Sequence, residues 1–182
     1  TMWKQTKSMS KGLLMDVRFV PVETAEDQEA LAKLADEIWH EYWPALIGAA
    51  QTDYMVEQFQ SLEAIKRDMA GNAYEYWFVV DEAGKTVGYT GGHAEPETSR
   101  YFISKIYLLA EERGKHYASK IIEFYVELCH SRDLHAMYLT VNKHNELGVR
   151  CYLGKGFVTI ESVETDIGNG FVMDDYVMEK EA

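Results

Sequence analysis

Hydrophobic positions along the chain follow two periods, one typical of helices and one typical of strands. Two segments repeat apolar residues every three or four positions, which predicts amphipathic helices. Their apolar residues are Leu31, Leu34, Ala35, Ile38, Trp39 and Tyr42, and then Ala118, Ile121, Ile122, Tyr125, Leu128 and Cys129. Thr24 is a predicted N-cap of the first helix, and Pro44 is predicted to end it. Residues 45–52 are then expected to be a loop. Shorter helices are predicted at 54–59, 62–69 and 145–153.

β-Branched and aromatic runs between turn residues predict strands. These runs are 17–22, 74–80, 86–93, 101–109, 136–141, 157–163 and 171–178. Gly84 lies in a predicted hairpin turn. Gly88, Gly91 and Gly92 lie inside a strand, which predicts a bulge or a close approach to the backbone. Only residues 103–141 have the strand–helix–strand order of a parallel crossover. The order therefore predicts an α+β fold with a mostly antiparallel sheet.

The chain is predicted to form one domain over residues 13–182, because no repeat, low-complexity run or linker interrupts it. Residues 1–12 are expected to be a loose tail or an expression remnant. Hydrophobic residues make up 47% of the 182 and charged residues 26%, which is typical of a globular protein with a sizeable core. No apolar run approaches the roughly 20 residues of a membrane-spanning helix.

The formal charge of −12 disfavours nucleic acid and anionic membranes as partners. It is compatible with a cationic substrate, although most acidic proteins are acidic only because charge keeps them soluble. Cys129 and Cys151 lie in helical patterns and have neither metal-ligand spacing nor a disulfide framework. We therefore expect no metal site and predict a cytoplasmic protein.

A strand, a turn and a helix are predicted between Ile103 and Ser131. The turn contains Arg113, Gly114 and Lys115, and the first amides of the following helix lack partners within the helix. The positive end of the helix dipole lies there too, so a phosphate or pyrophosphate is the expected guest. A purely structural connection has the same pattern and stays open. A dinucleotide site is disfavoured, because the turn has one glycine rather than three.

Three motifs together resemble the GNAT superfamily of acyl-CoA-dependent N-acetyltransferases. The first, IYLLAEERGKHYA at 106–118, matches the family's strand and its Arg/Gln-x-x-Gly-x-Gly/Ala loop. The second is LTVNKHN at 139–145, and the third, GVRCYLGKGF at 148–157, resembles the family's Ala-x-x-x-Tyr-x-x-x-Gly-Phe ending. The resemblance covers roughly residues 16–180. It implies a central mixed, mostly antiparallel, splayed sheet of about seven strands with helices on both faces.

A nearer similarity is to the bacterial branch that includes spermidine/spermine acetyltransferases. The segments QTDYM at 51–55, SKIY at 104–107 and MDDY at 173–176 would have counterparts there. This resemblance implies a small-molecule amine as acceptor, with polyamines among the candidates. The last strands of folds of the GNAT type often pair between subunits, so the resemblance is also compatible with a homodimer.

The resemblance implies acetyl-CoA as co-substrate, held mainly by backbone groups of one strand and one loop. The implied contacts are Ile106, Tyr107 and Leu108 with the pantetheine arm, Gly114, Lys115, His116, Tyr117, Ala118 and Ser119 with the pyrophosphate, Arg113 at the start of the loop and Asn145 beside the cofactor arm. His116 departs from the family pattern, which has glycine there so that phosphate can approach the backbone. A helical His116 is expected still to donate its amide.

The implied reaction is attack of a neutral amine on the thioester carbonyl. It needs proximity, a donor to the developing oxyanion and a proton for the departing thiolate. A backbone amide near Leu108 is the expected oxyanion donor. Tyr152 would face the sulfur and supply the proton, since a phenol's pKa is near that of a thiol. Without the resemblance, Tyr152 would be interpreted as a core aromatic.

The sequence leaves the general base open among Glu41, Asp53, His93 and Glu95, each of which also suits a solvated loop or strand end. The adjacent pair Asp174 and Asp175 could face an amine or solubilise a sheet edge, and the edge is favoured. Four aromatic residues could line an acceptor pocket, although the core is the favoured place for them: Trp39, Trp43, Tyr54 and Tyr89.

Two functions of different classes follow. The first is an N-acetyltransferase that acts on a small amine. The second is a non-catalytic acyl-CoA-binding or regulatory domain on the same scaffold, which His116 and the open identity of the base favour.

Overall fold

The computed structural model describes residues 16–182, so the expectation for residues 1–12 lies outside it. Seven strands make up the described sheet: β1 (Val17–Pro21), β2 (Glu75–Asp81), β3 (Thr86–Glu95), β4 (Arg100–Leu108), β5 (Ala136–Asn142), β6 (Val158–Gly168) and β7 (Phe171–Glu181). Their order across the sheet is β1-β2-β3-β4-β5-β7-β6. Only β4 and β5 pair in parallel, and every other neighbouring pair is antiparallel. The predicted fold class is confirmed.

Within residues 16–182, six α-helices connect the strands: α1 (Ala25–Tyr42), α2 (Pro44–Ile47), α3 (Ala49–Met55), α4 (Leu62–Gly71), α5 (Tyr117–Ser131) and α6 (Glu146–Gly154). A π-helical turn, Val56–Gln60, joins α3 to α4, and a 3-10 turn, Ala110–Glu112, precedes α5. The predicted cap is confirmed, because the Thr24 hydroxyl accepts from the Asp27 amide in a complete capping box. In the part of the chain that the structure describes, no helix is long and apolar enough to cross a membrane.

The segment 45–52 was expected to be a loop, and that expectation is wrong. Pro44 ends α1 but also occupies the first turn of α2, where its missing N–H costs no hydrogen bond. Gly48, with φ +85°, then separates α2 from α3. A positive φ suits glycine, so the break falls where the chain can turn without strain. Two short helices therefore replace the predicted loop.

The sheet carries a core on each face. Strand β2 shows the alternation, because Trp77 and Val79 pack with α5 residues while Tyr76 packs with α1 and α4 residues. The α5 core also contains Ile121 and Tyr125, both fully buried. These two clusters show that helices cover both faces of the sheet, as predicted.

Strands β4 and β5 pair over a short distance and then separate. Their parallel register includes Arg100, Tyr101 and Phe102 of β4 and ends there, although β4 continues to Leu108. Over the rest of its length β4 is paired on one side only, with β3. The backbone groups of 103–108 that face β5 consequently have no strand partner among the described residues.

Glycines in β3 allow this strand to lie very close to β4. A Cβ on Gly92 would overlap the carbonyl oxygen of Phe102, and one on Gly88 would overlap that of Tyr107. The register shifts between Gly91 and Gly92, as the glycine pattern predicted. This shift is a β-bulge in which Ser104 is the extra residue of β4.

We predict that Gly92→Ala lowers the free energy of unfolding by about 1–3 kcal/mol, because the added methyl group must displace backbone. Gly71→Ala is the matched control, since a Cβ on Gly71 meets no atom within 4 Å. Chemical denaturation of both variants measures the difference. A Gly92→Ala variant as stable as Gly71→Ala would contradict the close packing.

Candidate active site

A cavity of about 590 Å³ lies where β4 and β5 separate. Side chains from α1, α3, β4, β5, α6 and β7 line it, together with the loop before α5. Most of the residues predicted as a site line this cavity: Ile106, Tyr107, Leu108, Arg113, Gly114, His116, Tyr117, Ala118, Asn145 and Tyr152. Lys115 and Ser119 are near neighbours in the chain but are not among the lining residues. The strand, the loop and the proposed acid thus share one space.

The loop before α5 has a left-handed backbone at two positions, Gly114 with φ +76° and His116 with φ +66°. The expectation that His116 is helical is therefore wrong; it is the left-handed N-cap of α5. The first backbone bond that returns to this residue comes from the Lys120 amide, at 3.4 Å. The amides of Ala118 and Ser119 donate to no other described backbone group outside the helix. The helix therefore presents unpaired amides at its positive end.

A buried carboxylate, Glu112, fixes the other end of this loop. It is 4% exposed, and Lys85 Nζ and Lys115 Nζ lie 2.7 and 2.9 Å from its two oxygens. Hydrogen bonds from Lys85 and then Lys115 lower the pKa of Glu112. The Lys115 ammonium thus stabilises the loop by pairing with Glu112. An acidic residue three positions before a lysine is the sequence signal that could have indicated this pair.

Arg113 already has three partners. Its Nη2 donates to Glu41 Oε2 at 2.7 Å and to the Leu108 carbonyl at 3.0 Å. The guanidinium also lies over the Tyr42 ring, 4.6 Å from its centroid. Arg113 therefore ties the end of β4 to the last turn of α1.

Tyr42 continues this network to the opposite wall of the cavity. Its hydroxyl donates to Asn145 Oδ1 at 2.7 Å, and the same oxygen accepts from the Gly148 amide at 3.0 Å. Burial is the main cause that raises the pKa of Tyr42, which keeps its hydroxyl protonated as a donor. Asn145 is thus both the N-cap of α6 and a cavity residue. From the sequence pattern, Tyr42 was expected only on the apolar face of α1.

Tyr152 lies on α6 and faces the cavity while its ring packs edge-on against Phe157, with centroids 5.7 Å apart. Its hydroxyl makes no hydrogen bond to another described residue. Burial raises the pKa of Tyr152, so the phenol stays protonated at neutral pH. Tyr152 is therefore compatible with both interpretations of the sequence, a core aromatic and a group that faces the cofactor, because its ring contacts Phe157 and the residue lines the cavity.

Asp175 is a cavity residue that the sequence analysis placed at a sheet edge. That interpretation is wrong for the strand, because β7 lies between β5 and β6 and the edge is β6. Asp175 is 5% exposed, and its carboxylate forms no ion pair with any residue in 16–182. Burial first, and then the neighbouring Asp174, raise the pKa of Asp175 to about 6. Asp174 instead pairs with Lys143 at 2.5 Å.

The four base candidates named from the sequence lie outside the lining of the cavity. Glu41 holds Arg113, and the Asp53 carboxylate accepts from His40 Nε2 at 2.8 Å. Glu95 accepts from the Tyr138 hydroxyl, and His93 packs beside Phe102. Two carboxylates, Asp68 and Asp175, and two lysines, Lys105 and Lys155, do line the cavity.

Of the four aromatic residues considered as pocket walls, two line the cavity and two do not. Trp39 and Trp43 line the cavity and stack on each other, with centroids 5.0 Å apart. Tyr89 is fully buried in the core of α1 and α4, and the Tyr54 hydroxyl donates to the Ile167 carbonyl at 2.6 Å. The favoured core placement is therefore confirmed for Tyr89 and for Trp39, which is 2% exposed and clusters with Met55 and Val56. Trp39 and Trp43 also contribute to the cavity wall.

Comparison with known proteins agrees with this architecture. A family model described as the acetyltransferase (GNAT) family matches residues 35–157. A search of curated protein sequences finds no significant match. The PaiA N-acetyltransferase of Thermoplasma acidophilum, solved in complex with coenzyme A, superposes with a TM-score of 0.72 at 17% identity, covering 93% of this chain and 100% of that one.

Two further solved structures share the fold. A GCN5-related N-acetyltransferase from Rhodopseudomonas palustris gives a TM-score of 0.73 at 14% identity, covering 93% of this chain and 99% of that one. A mutant form of the spermidine/spermine N-acetyltransferase SpeG from Vibrio cholerae gives 0.65 at 19% identity, with 91% and 93% covered. At these identities the likeness establishes the fold.

We predict that His116→Gly raises the free energy of unfolding by about 0.5–1 kcal/mol, because it relieves the left-handed strain of a residue with a Cβ. His116→Ala is the matched control, since it removes the imidazole but keeps the strain. Denaturant midpoints of the two variants separate these effects. Equal stability of the two variants would show that the backbone conformation carries no cost here.

Proposed function

The protein belongs to the GNAT acetyltransferase family, and from this we propose that it transfers an acetyl group from acetyl-CoA to a primary amine of a small molecule in a ternary complex. The observation that carries the proposal is the cavity that joins the unpaired edge of β4 to the amides that begin α5. This combination suits a long ligand with a polar arm at one end and a phosphate group at the other.

The cofactor half of the proposal rests on backbone groups. The edge of Ile106, Tyr107 and Leu108 that faces away from β3 suits an amide-containing pantetheine arm, which would pair with it as an extra strand. The amides at 114–119 suit a pyrophosphate. A Cβ at His116 leaves less room than the family's glycine, but its left-handed backbone is the conformation that a glycine would adopt there.

The chemical half rests on residues that line the same cavity. The amine nitrogen attacks the thioester carbonyl, the C–N bond forms, and the C–S bond breaks. A backbone amide near Leu108 stabilises the developing oxyanion. Tyr152 donates its proton to the departing thiolate, whose own proton affinity also rises in an apolar cavity. The amine's surplus proton needs an acceptor.

Asp175 is the carboxylate that suits this second proton transfer. It is buried, it lines the cavity, and the raised pKa of about 6 brings it close to neutral pH. Glu41 and Glu95 are engaged by Arg113 and Tyr138 in this state. We therefore assign Asp175 as the base, directly or through one water.

The proposal extends to the acceptor, to the oligomeric state and to the location of the protein in the cell. A primary amine is the expected acceptor, and polyamines are one class to test. Exposed apolar side chains on the edge strand β6, Val158 and Ile160, favour a homodimer. Both cysteines are free thiols, which suits the predicted cytoplasmic location.

We predict that Tyr152→Phe lowers turnover about tenfold or more without loss of acetyl-CoA binding, because only the acid's proton is removed. Thiol release from acetyl-CoA is measured with a panel of polyamines, amino acids, aminoglycosides and peptide N-termini, and binding is measured by calorimetry. Tyr138→Phe is the matched control, since its hydroxyl bonds to Glu95 away from the cavity lining. Binding without thiol release from any amine would favour the non-catalytic alternative.

We predict that kcat/KM of the wild-type enzyme rises with pH through about 6, because Asp175 must be ionised to accept a proton and its pKa is raised to about 6. Asp175→Asn should lower kcat/KM by about 100-fold and remove this acid limb. Asp174→Asn should keep the limb and shift it to lower pH, because one neighbouring negative charge is lost. An unchanged limb in Asp175→Asn would assign the base elsewhere.

A further inference from the structure

A buried lysine, Lys105, lines the cavity and has no part in the proposed reaction. It is 5% exposed. The β-bulge in β4 directs it there, because Gly91 pairs with Lys105 and Gly92 pairs with Ile103, which leaves Ser104 as an extra residue. Strict alternation from Ile103 would otherwise turn Lys105 towards α5. The irregular strand therefore delivers a cation into the cavity.

The Lys105 ammonium has more donors than partners. Its Nζ donates to the Phe59 carbonyl at 2.9 Å, and no carboxylate of residues 16–182 lies within ion-pair distance. Phe59 belongs to the π-helical turn Val56–Gln60, where the shifted backbone ladder leaves carbonyls available. An ammonium carries three donors. Burial of the two that remain is costly unless an anion compensates them.

The charged groups around Lys105 do not supply that anion. Burial is the main cause that lowers the pKa of Lys105 to about 8; Asp68 opposes this shift and Arg67 adds to it. Asp68 is engaged elsewhere, because its Oδ1 accepts from Asn72 at 2.8 Å and from Arg67 at 3.3 Å. Lys105 therefore remains largely protonated at neutral pH with no counter-ion of its own.

The geometry points to a carboxylate subsite: Lys105 binds the carboxylate of an acceptor whose amine is directed to Asp175 and Tyr152. The acceptor class is then an amino acid or another amino carboxylate, which narrows the proposed function and rests on it. A polyamine would bring a second ammonium towards Lys105, and two like charges at short distance repel each other in a cavity of low polarity. The carboxylate instead supplies the missing acceptors.

The first test compares matched acceptors that differ only in the carboxylate. Thiol release from acetyl-CoA is measured with ornithine against putrescine, lysine against cadaverine, and phenylalanine against phenethylamine. At least one amino acid should exceed its decarboxylated partner in kcat/KM by about ten- to a hundredfold. This ratio corresponds to the free energy of one charge-assisted hydrogen bond. Lys105→Met should abolish this advantage, Lys105→Arg should retain part of it, and Lys33→Met on the exposed face of α1 should leave it unchanged.

The outcomes separate the subsite from the proposed function. A wild-type enzyme that prefers the decarboxylated amine in every pair overturns the carboxylate subsite and leaves the acetyltransferase proposal standing. Acetylation of Lys105 itself, located by peptide mass spectrometry after incubation with acetyl-CoA, also overturns it, because the lysine would then be the nucleophile.

A second measurement decides the case in which no tested amine reacts. Calorimetry in the presence of coenzyme A compares N-acetylated amino acids with the corresponding N-acetylated amines. Binding of the acids that is about ten- to a hundredfold tighter, and that Lys105→Met removes, supports the subsite even if turnover fails. Equal binding of the two series, or none by either, overturns it.

Discussion

The separation of β4 from β5 is the constraint on which the rest of the site depends. Each strand is paired along its far side, β4 with β3 and β5 with β7. The facing backbone groups beyond Phe102 are left without strand partners. Because unpaired backbone groups are costly away from water, this gap favours an extended, amide-bearing occupant. The helices on the two faces then close it into a cavity.

Three polar groups of the cavity come from departures from regular geometry. The bulge at Ser104 turns Lys105 inwards, the π-helical turn provides the Phe59 carbonyl, and the left-handed His116 opens the helix start. Regular elements would have buried these groups in a core or turned them to solvent. Such irregularities persist only where surrounding packing determines them, and they cluster at functional sites. Tyr152 and Asp175, by contrast, come from the regular elements α6 and β7.

The contiguous part of the site was the easier part to predict from the sequence. The strand, loop and helix around Arg113 are contiguous, so turn chemistry and periodicity indicated them, whereas the expectations for Asn145 and Tyr152 came from the family resemblance. Asp175 was placed wrongly because the last strand of the chain inserts between β5 and β6, an order that no local pattern encodes. Lys105 was missed because a bulge depends on the partner strand as well as on its own residues. Segment 45–52 was missed because Pro44 ends one helix and begins another.

Arg113 connects the loop before α5 to the last turn of α1 through its three partners. The same guanidinium holds Glu41 at the end of α1, the Leu108 carbonyl at the end of β4, and the face of Tyr42. A phosphate that attracts this guanidinium must compete with Glu41 for it. Tyr42 and Trp43, which directly follow Glu41, line the cavity themselves. One guanidinium therefore couples the loop before α5 to the aromatic wall at the end of α1.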